Sequence, residues 1–130
     1  MSATEKAPDV VFGDMPPEEF RQHAHTLADW AAGYFAQIES YPVLSKVAPG
    51  DVRRALPDHA PELPEPFANL IADLDRLIVP ACTHWNHPGF FAYFAITGSA
   101  PAVLMDLVSS VLNQQAMLWS TSPAASELED

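Results

Sequence analysis

The stretch THWNHPGFFAYFAITGSAP (Thr83–Pro101) decides the fold class, because it is a long aromatic run between segments that have a helical period. Phe91 and Tyr93 alternate with other residues, and turn-forming residues flank them, which predicts a short extended segment. The sequence contains no second segment with a strand pattern that would pair with it. We therefore predict a mainly α-helical chain with one short extended aromatic stretch.

The sequence of the N-terminal part predicts an arm followed by a long helix. Residues 1–15 carry no period and are expected to form a flexible arm. Pro16 then fits a first helical turn, where Glu18 and Glu19 are favoured by the helix dipole. The apolar positions that follow recur every three or four residues: Phe20, Ala24, Leu27, Ala31, Tyr34 and Ile38. This face could pack inside its own domain or on a partner subunit, and internal packing is the favoured interpretation.

A proline-rich connector and a second helix follow. The prolines of Tyr41–Pro66 exclude a long helix or a central strand, although a short helical turn over Asp51–Ala55, capped by Asp51, is compatible with them. The apolar spacing of Phe67–Ile78 predicts an amphipathic helix. Pro80 is expected to end it, since the residue before a proline is disfavoured in helical geometry.

Two further helices are predicted after the aromatic stretch. Ser99 can cap a third long helix whose apolar positions lie within 103–112. Ser122, which precedes a proline, begins a last helix that has a start signal but no C-terminal signal. We therefore expect residues 16–130 to be the helical segment of a longer protein, truncated at Asp130.

Charge and cysteine content limit the kinds of binding partner and the cellular compartment that are expected for this chain. Six Lys and Arg against 17 Asp and Glu give a formal net charge of -11, which argues against binding to nucleic acid or to an anionic membrane. Cys82 is the single cysteine, so an intrachain disulfide is impossible. No signal peptide and no apolar run of membrane-spanning length is visible. The sequence predicts a soluble cytoplasmic protein.

Two clusters have the composition of a functional site. Cys82, His84 and His87 are residue types that zinc prefers, but a second pair of ligands is missing, so hydrogen-bonding histidines are the favoured interpretation. The aromatic run containing Trp85 and Tyr93 suits a pocket for a ring-bearing ligand, although ordinary core packing is favoured on composition alone. The sequence contains no nucleophile elbow and no glycine-rich phosphate loop.

Four segments together resemble a known family. They are FRQHAHTLADWAAGYF (20–35), VAPGDVRRALPDHAPE (47–62), THWNHPGFFAYFAITGSAPAVLMDLV (83–108) and MLWSTSPAASELE (117–129). In this order they resemble the N-terminal segment of the group II pyridoxal-phosphate-dependent amino acid decarboxylases, in particular the aromatic-L-amino-acid decarboxylases and their bacterial relatives. The resemblance covers about Glu18 to Asp130.

The resemblance implies a fold type I enzyme. Such an enzyme is a homodimer in which the N-terminal helical segment wraps across the partner subunit. The α/β domain that holds pyridoxal 5'-phosphate, with its cofactor lysine, is expected after Asp130, so no catalytic or cofactor-binding residue is expected within this chain. The implied reaction is decarboxylation of an amino acid, with an aromatic substrate favoured, and the isolated chain is expected to be inactive.

The resemblance also assigns roles to individual residues. The substrate-binding set that it implies is Trp85, Tyr93, Phe94, Ala95 and Ile96. Gln115 and Met117 are implied to contact the active site of the partner subunit. The animal aromatic decarboxylases have Pro-Thr where this chain has Ala95-Ile96, which leaves other amino acids, or an aldehyde-forming reaction, open. A non-catalytic helical dimerisation module and a small metal-binding protein remain as alternatives.

Overall fold

Helix α1 spans Pro17–Ala36 in the computed structural model, which describes residues 14–94 and 98–129. A proline occupies its first turn, where the missing backbone N–H needs no partner, and Glu18 and Glu19 lie at the positive end of the helix dipole. The helix ends at Gln37, and a 3₁₀ turn covers Ile38–Ser40. The predicted N-terminal helix is confirmed, while all but the last two residues of the predicted arm lie outside the described residues.

The connector contains the predicted short helix α2 at Asp51–Ala55. The predicted cap was wrong in detail, because Gly50 occupies the N-cap position with a positive φ of 90°. Asp51 instead accepts a hydrogen bond from the backbone N–H of Ala48 at 2.6 Å. Glycine suits this position because its φ lies in the left-handed region, where residues with a Cβ atom are strained.

Helix α3 spans Phe67–Asp73 and continues without a break into a π-helical turn at Leu74–Ile78. A 3₁₀ turn at Val79–Ala81 follows, so Pro80 does not stop the helical path where the sequence predicted. The proline lies in the first turn of this 3₁₀ segment, where no donor is required of it. The second predicted helix is therefore confirmed, with a wider turn at its C-terminal half and an end that lies further along the chain.

Helices α4 (Ala100–Leu112) and α5 (Pro123–Glu129) form at the predicted positions. The Ser99 hydroxyl oxygen accepts a hydrogen bond from the backbone N–H of Ala102 at 3.3 Å, which confirms the predicted cap. Asn113 ends α4 in the left-handed region, with a φ of 45°. Asparagine tolerates this conformation better than most residues, which explains why the helix stops here.

The predicted extended stretch is wrong for the residues that the structure describes. Residues 92–94 form a series of bends, and Tyr93 has a φ of 57°, which is incompatible with a strand. Without a partner strand, no ladder of hydrogen bonds compensates an extended backbone in this segment. Within 14–94 and 98–129 the structure contains no β-strand, as a mainly α-helical chain requires.

The chain divides into two compact units at the bond between Phe91 and Ala92. In the first unit, His23 of α1 stacks on Phe67 of α3 with ring centroids 4.4 Å apart. The large apolar side chains buried in the described residues are few, Val79 and Phe90, and much apolar surface stays exposed on both units. None of the described helices combines the length and the apolar character needed to cross a bilayer.

Candidate functional site

Trp85, the first residue expected to line a substrate pocket, lies in a tight turn that runs from His84 to Phe90. The backbone N–H of His87 donates to the carbonyl of His84 at 3.0 Å, and that of Phe90 donates to the carbonyl of His87 at 2.9 Å. The Trp85 indole packs on the Phe90 ring with centroids 4.8 Å apart. Phe90 is buried, whereas Trp85 is 48% exposed. The turn therefore supports the indole through Phe90, and about half of the Trp85 side chain is exposed.

Gly89 allows this turn to close. Its backbone N–H donates to Nδ1 of His87 at 2.8 Å. A Cβ atom on Gly89 would lie 3.0 Å from the same nitrogen and 3.4 Å from the side chain of Val43. A larger residue would therefore displace the His87 ring and loosen the turn below Trp85.

His84 attaches the turn to the rest of the first unit. Its backbone N–H donates to the carbonyl of Val43 at 3.0 Å. Its Nδ1 lies 2.7 Å from the hydroxyl of Tyr34 on α1, and its ring stacks on Tyr41 with centroids 4.8 Å apart. The residue is 1% exposed, and its Nε2 has no hydrogen-bond partner among the described residues.

Burial determines the protonation states of His84 and Tyr34. Burial lowers the pKa of the His84 imidazole, and the nearby His87 lowers it further. Burial also raises the pKa of the Tyr34 hydroxyl, with smaller contributions from Cys82 and Tyr41. Both groups are therefore neutral at pH 7, and the short contact between them is a hydrogen bond between uncharged groups.

A groove of about 760 Å³ lies in the first unit beside this pair. It is lined mainly by aromatic and apolar side chains, with a few polar groups: Trp30, Gly33, Tyr34, Gln37, Tyr41, Pro42, Lys46, Val47, Asp51, Asp75, Val79, Pro80 and His84. The indole N–H of Trp30 donates to Oδ1 of Asp75 at 2.8 Å across it. The groove presents no arrangement of nucleophile and base, and its surface suits packing better than bond chemistry.

The other substrate-wall residues belong to the second unit. Tyr93 is 84% exposed and Phe94 is fully exposed, so both rings stand on the surface of that unit. Ala95 and Ile96, which the resemblance also assigns to the pocket, lie outside the described residues. Trp85 belongs to the first unit, whereas Tyr93 and Phe94 belong to the second. Each is therefore described within its own unit.

Gln115 and Met117 lie in the loop between α4 and α5. The Gln115 side-chain oxygen accepts a hydrogen bond from the backbone N–H of Met117 at 2.8 Å, and the Thr121 hydroxyl donates to the Gln115 carbonyl at 2.7 Å. Met117 is 80% exposed. The amide of Gln115 is thus used to shape the loop, and Met117 is the most exposed of the large apolar residues in it, ahead of Leu118 and Trp119.

The metal-binding alternative gains no support from the described residues. Among them, no group of three or more Cys, His, Asp or Glu side chains is placed to hold a metal ion. Nδ1 of His84 is occupied by Tyr34, and Nδ1 of His87 accepts from Gly89. The favoured interpretation of these histidines as hydrogen-bonding groups agrees with both contacts.

Sequence reasoning missed the contact between Tyr34 and His84. It placed Tyr34 on the apolar face of a helix and considered His84 only as a metal ligand or an unspecified hydrogen-bonding group. The available signal was the spacing of Trp30 and Tyr34, one turn apart on α1, which places two polar ring atoms on one face. The partner, fifty residues away, is fixed only by the tertiary structure.

Comparison with known proteins gives a consistent family. The pyridoxal-dependent decarboxylase conserved domain matches residues 49–130. An aromatic-L-amino-acid decarboxylase from Catharanthus roseus is 42% identical over 127 residues, which are 98% of this chain and 25% of that protein. A phenylacetaldehyde synthase from Petunia hybrida is 46% identical over 115 residues, which are 88% of this chain and 23% of that protein.

A solved structure agrees with these sequence matches. The crystal structure of Catharanthus roseus tryptophan decarboxylase in complex with L-tryptophan superposes with a TM-score of 0.85 and 43% sequence identity. The superposition covers 91% of this chain and 25% of that one. The chain thus spans about a quarter of the length of the relatives it matches.

The described residues do not fit a site for pyridoxal phosphate. Such a site needs a lysine whose amine is desolvated or otherwise activated, and a cradle for the phosphate. Lys46 is the lysine in the described part of the chain, and it is exposed at the groove. The first turn of α1, where backbone N–H groups could receive a phosphate, carries the negative charges of Glu18 and Glu19.

Proposed function

Since this chain belongs to the pyridoxal-dependent decarboxylase family, we propose that it is the N-terminal part of a carboxy-lyase that converts an aromatic amino acid to its amine. The observation that carries the proposal is the agreement of sequence and fold over one stretch. The family match at 49–130 includes the turn of Trp85, the exposed rings of the second unit and the loop of Met117.

In this proposal the chain supplies walls of the substrate cavity. Trp85 contributes an indole face backed by Phe90, and Tyr93 and Phe94 contribute exposed rings. The proposal also assigns Ala95 and Ile96 to this wall, and both lie outside the described residues. Flat apolar surfaces hold an aromatic side chain in one orientation, and orientation is what the reaction requires of these residues.

The proposed enzyme is a homodimer. Apolar surface on α1 and α4 supports this, since Phe20 is 46% exposed and Leu104 and Val111 are 60% and 65% exposed. Met117, which the loop after α4 presents outward, would reach the active site of the partner subunit together with Gln115. Sedimentation of the complete enzyme should give a dimer, and a stable monomer would contradict this part of the proposal.

Pyridoxal 5'-phosphate would be bound by residues outside this chain. When bound there, the cofactor would supply an electron sink for the decarboxylation. The residues of this chain bind and orient the substrate side chain, and they exclude water from one side of the cavity. None of them is assigned to the breaking or making of a bond.

An aldehyde-forming reaction is a second candidate. The phenylacetaldehyde synthase of Petunia hybrida is 46% identical, so similarity to a decarboxylase does not by itself select the amine as product. We also propose a cytoplasmic location and no nucleic-acid or membrane partner. The single cysteine and the net charge of -11 support these points.

Product analysis of the complete enzyme tests the proposal. The purified protein, supplied with pyridoxal phosphate, is incubated separately with tryptophan, tyrosine, phenylalanine and a non-aromatic amino acid. The proposal expects one mole of amine for each mole of carbon dioxide, with the aromatic substrates preferred. Aldehyde and ammonia, formed with consumption of dioxygen and release of hydrogen peroxide, would select the second candidate, and no carbon dioxide from any aromatic substrate would refute the proposal.

A further inference from the structure

We propose that Tyr34 and His84 are positioning residues that fix the indole of Trp85 and thereby set which aromatic substrate the enzyme prefers. This inference rests on the proposed function, because it takes Trp85 as a wall of the substrate cavity. It concerns two residues that touch neither the cofactor nor the reacting atoms. Their effect is transmitted through the backbone between His84 and Trp85.

The first step is that His84 is held from three sides. Its backbone N–H is bonded to Val43 of the connector, its Nδ1 to the Tyr34 hydroxyl of α1, and its ring is stacked on Tyr41. Because the residue is almost fully buried, these contacts are shielded from water. His84 is therefore a fixed point from which the following residue extends.

The second step is that Trp85 depends on this fixed point. The two Cα atoms are joined by one peptide unit, about 3.8 Å long. The turn that brings Phe90 under the indole begins at the carbonyl of His84, which accepts from His87. A rotation of the His84 backbone would therefore move both the indole and the ring that supports it.

The third step is that the His84 imidazole lowers the stability of the fold at one of its nitrogens. Its Nε2 is buried without a hydrogen-bond partner among the described residues, and an unpaired buried polar atom destabilises a fold. An apolar side chain of similar size would fill the same space without that cost. The gain that offsets it in this structure is the bond from Nδ1 to Tyr34, which orients the ring and the backbone that bears it.

The variants Tyr34→Phe and His84→Leu each remove this bond in the complete enzyme. His84→Asn keeps an acceptor near the position of Nδ1 and should restore it in part. Trp30→Phe is the matched control, because it removes the hydrogen bond of 2.8 Å from α1 to Asp75 and keeps an aromatic ring at the position where Trp30 stacks on Tyr34. All four are compared with the unmodified enzyme.

Two readouts separate positioning from a general loss of stability. The ratio of kcat/KM for tryptophan over phenylalanine should change about tenfold in Tyr34→Phe and His84→Leu, the scale of discrimination that one altered apolar contact carries. The ratio should return towards the original value in His84→Asn and stay unchanged in Trp30→Phe. Cofactor content should be normal in all variants.

Fluorine NMR of the enzyme labelled with 5-fluorotryptophan provides the second readout, which needs no activity. The Trp85 resonance, assigned with Trp85→Phe, should shift or broaden in Tyr34→Phe and not in Trp30→Phe. An unmoved Trp85 resonance, or an unchanged substrate ratio in both bond-removing variants, would overturn the inference. If the unmodified enzyme decarboxylates no aromatic amino acid, the proposed function fails, and the resonance still decides whether Tyr34 positions Trp85.

Discussion

The side-chain oxygen of Gln115 accepts a hydrogen bond from the backbone N–H of Met117 at 2.8 Å. The Thr121 hydroxyl donates to the Gln115 carbonyl at 2.7 Å and lies 2.9 Å from the Leu118 carbonyl. These bonds close the loop after α4 upon itself. Gln115 therefore holds the loop in shape, and Met117 is among the side chains that the loop exposes.

Replacing Gln115 by Ala should lower kcat/KM of the complete enzyme by about tenfold, because small displacements of positioning groups cost up to about 10²-fold. Gln115→Glu keeps the acceptor oxygen and should retain most of the activity. Gln114→Ala is the control, since the Gln114 amide donates to the carbonyl of Leu112 at the end of α4, at 3.0 Å. Steady-state kinetics with cofactor content held equal provides the measurement. Equal activity of all three variants would show that the loop does not reach an active site.

The cap of α4 gives a prediction about stability. Replacing Ser99 by Ala removes the acceptor for the backbone N–H of Ala102 and should lower the free energy of unfolding by about 1 kcal/mol. Ser110→Ala, in the interior of the same helix, should be neutral or slightly stabilising because alanine is the better helix former. Urea denaturation followed by the helical signal measures both. A loss of the same size at Ser110 would mean that the Ser99 effect is not a capping effect.

Local chemistry explains which parts of the fold the sequence could predict. Prolines and acids in a first turn, as at Pro17, and a capping serine, as at Ser99, act within four residues, so the helices they begin were placed correctly. Alternation at Phe91 and Tyr93 suggested an extended segment, but a strand depends on a partner that a local pattern cannot supply. The structure has a left-handed Tyr93 instead.

The roles of the individual candidate site residues stay predictions, and they come from the family resemblance. Trp85 and Met117 were named in this way. The structure adds that Trp85 packs on Phe90 in a tight turn and that the backbone of Met117 is bonded to the Gln115 side chain. The contact of Tyr34 with His84 was missed because it joins residues fifty positions apart. No periodicity in the sequence encodes that pairing.

Protonation of His84 should destabilise the fold. Its pKa in the folded chain lies below the ordinary value of 6.5, because burial disfavours the charged ring. The unfolded chain therefore takes up a proton first as the pH falls, so stability is fully present above about 6.5 and is lost between that value and the lower folded pKa. Tyr34, Tyr41 and His87 lie around the ring, and the raised pKa of the Tyr34 hydroxyl keeps that group uncharged in this range.

The urea midpoint measured from pH 8 down to pH 5 tests whether protonation of His84 lowers the stability of the fold. It should fall more steeply below about pH 6.5 in the unmodified chain than in His84→Leu, which removes the titrating ring. The difference between the two curves isolates His84 from the carboxylates that both chains share. Parallel curves would contradict a lowered pKa at His84.

Borohydride trapping tests the central claim most directly, namely that this chain supplies walls of a substrate cavity while the cofactor is held elsewhere. The purified 130-residue chain and the complete enzyme are each mixed with pyridoxal phosphate, reduced, and mapped by mass spectrometry, and carbon dioxide release from aromatic amino acids is measured in parallel. We predict a saturable adduct at one lysine outside residues 1–130 in the complete enzyme, and neither a saturable adduct nor carbon dioxide release from the chain alone. A saturable adduct at Lys46 together with carbon dioxide release by the chain alone would contradict the account.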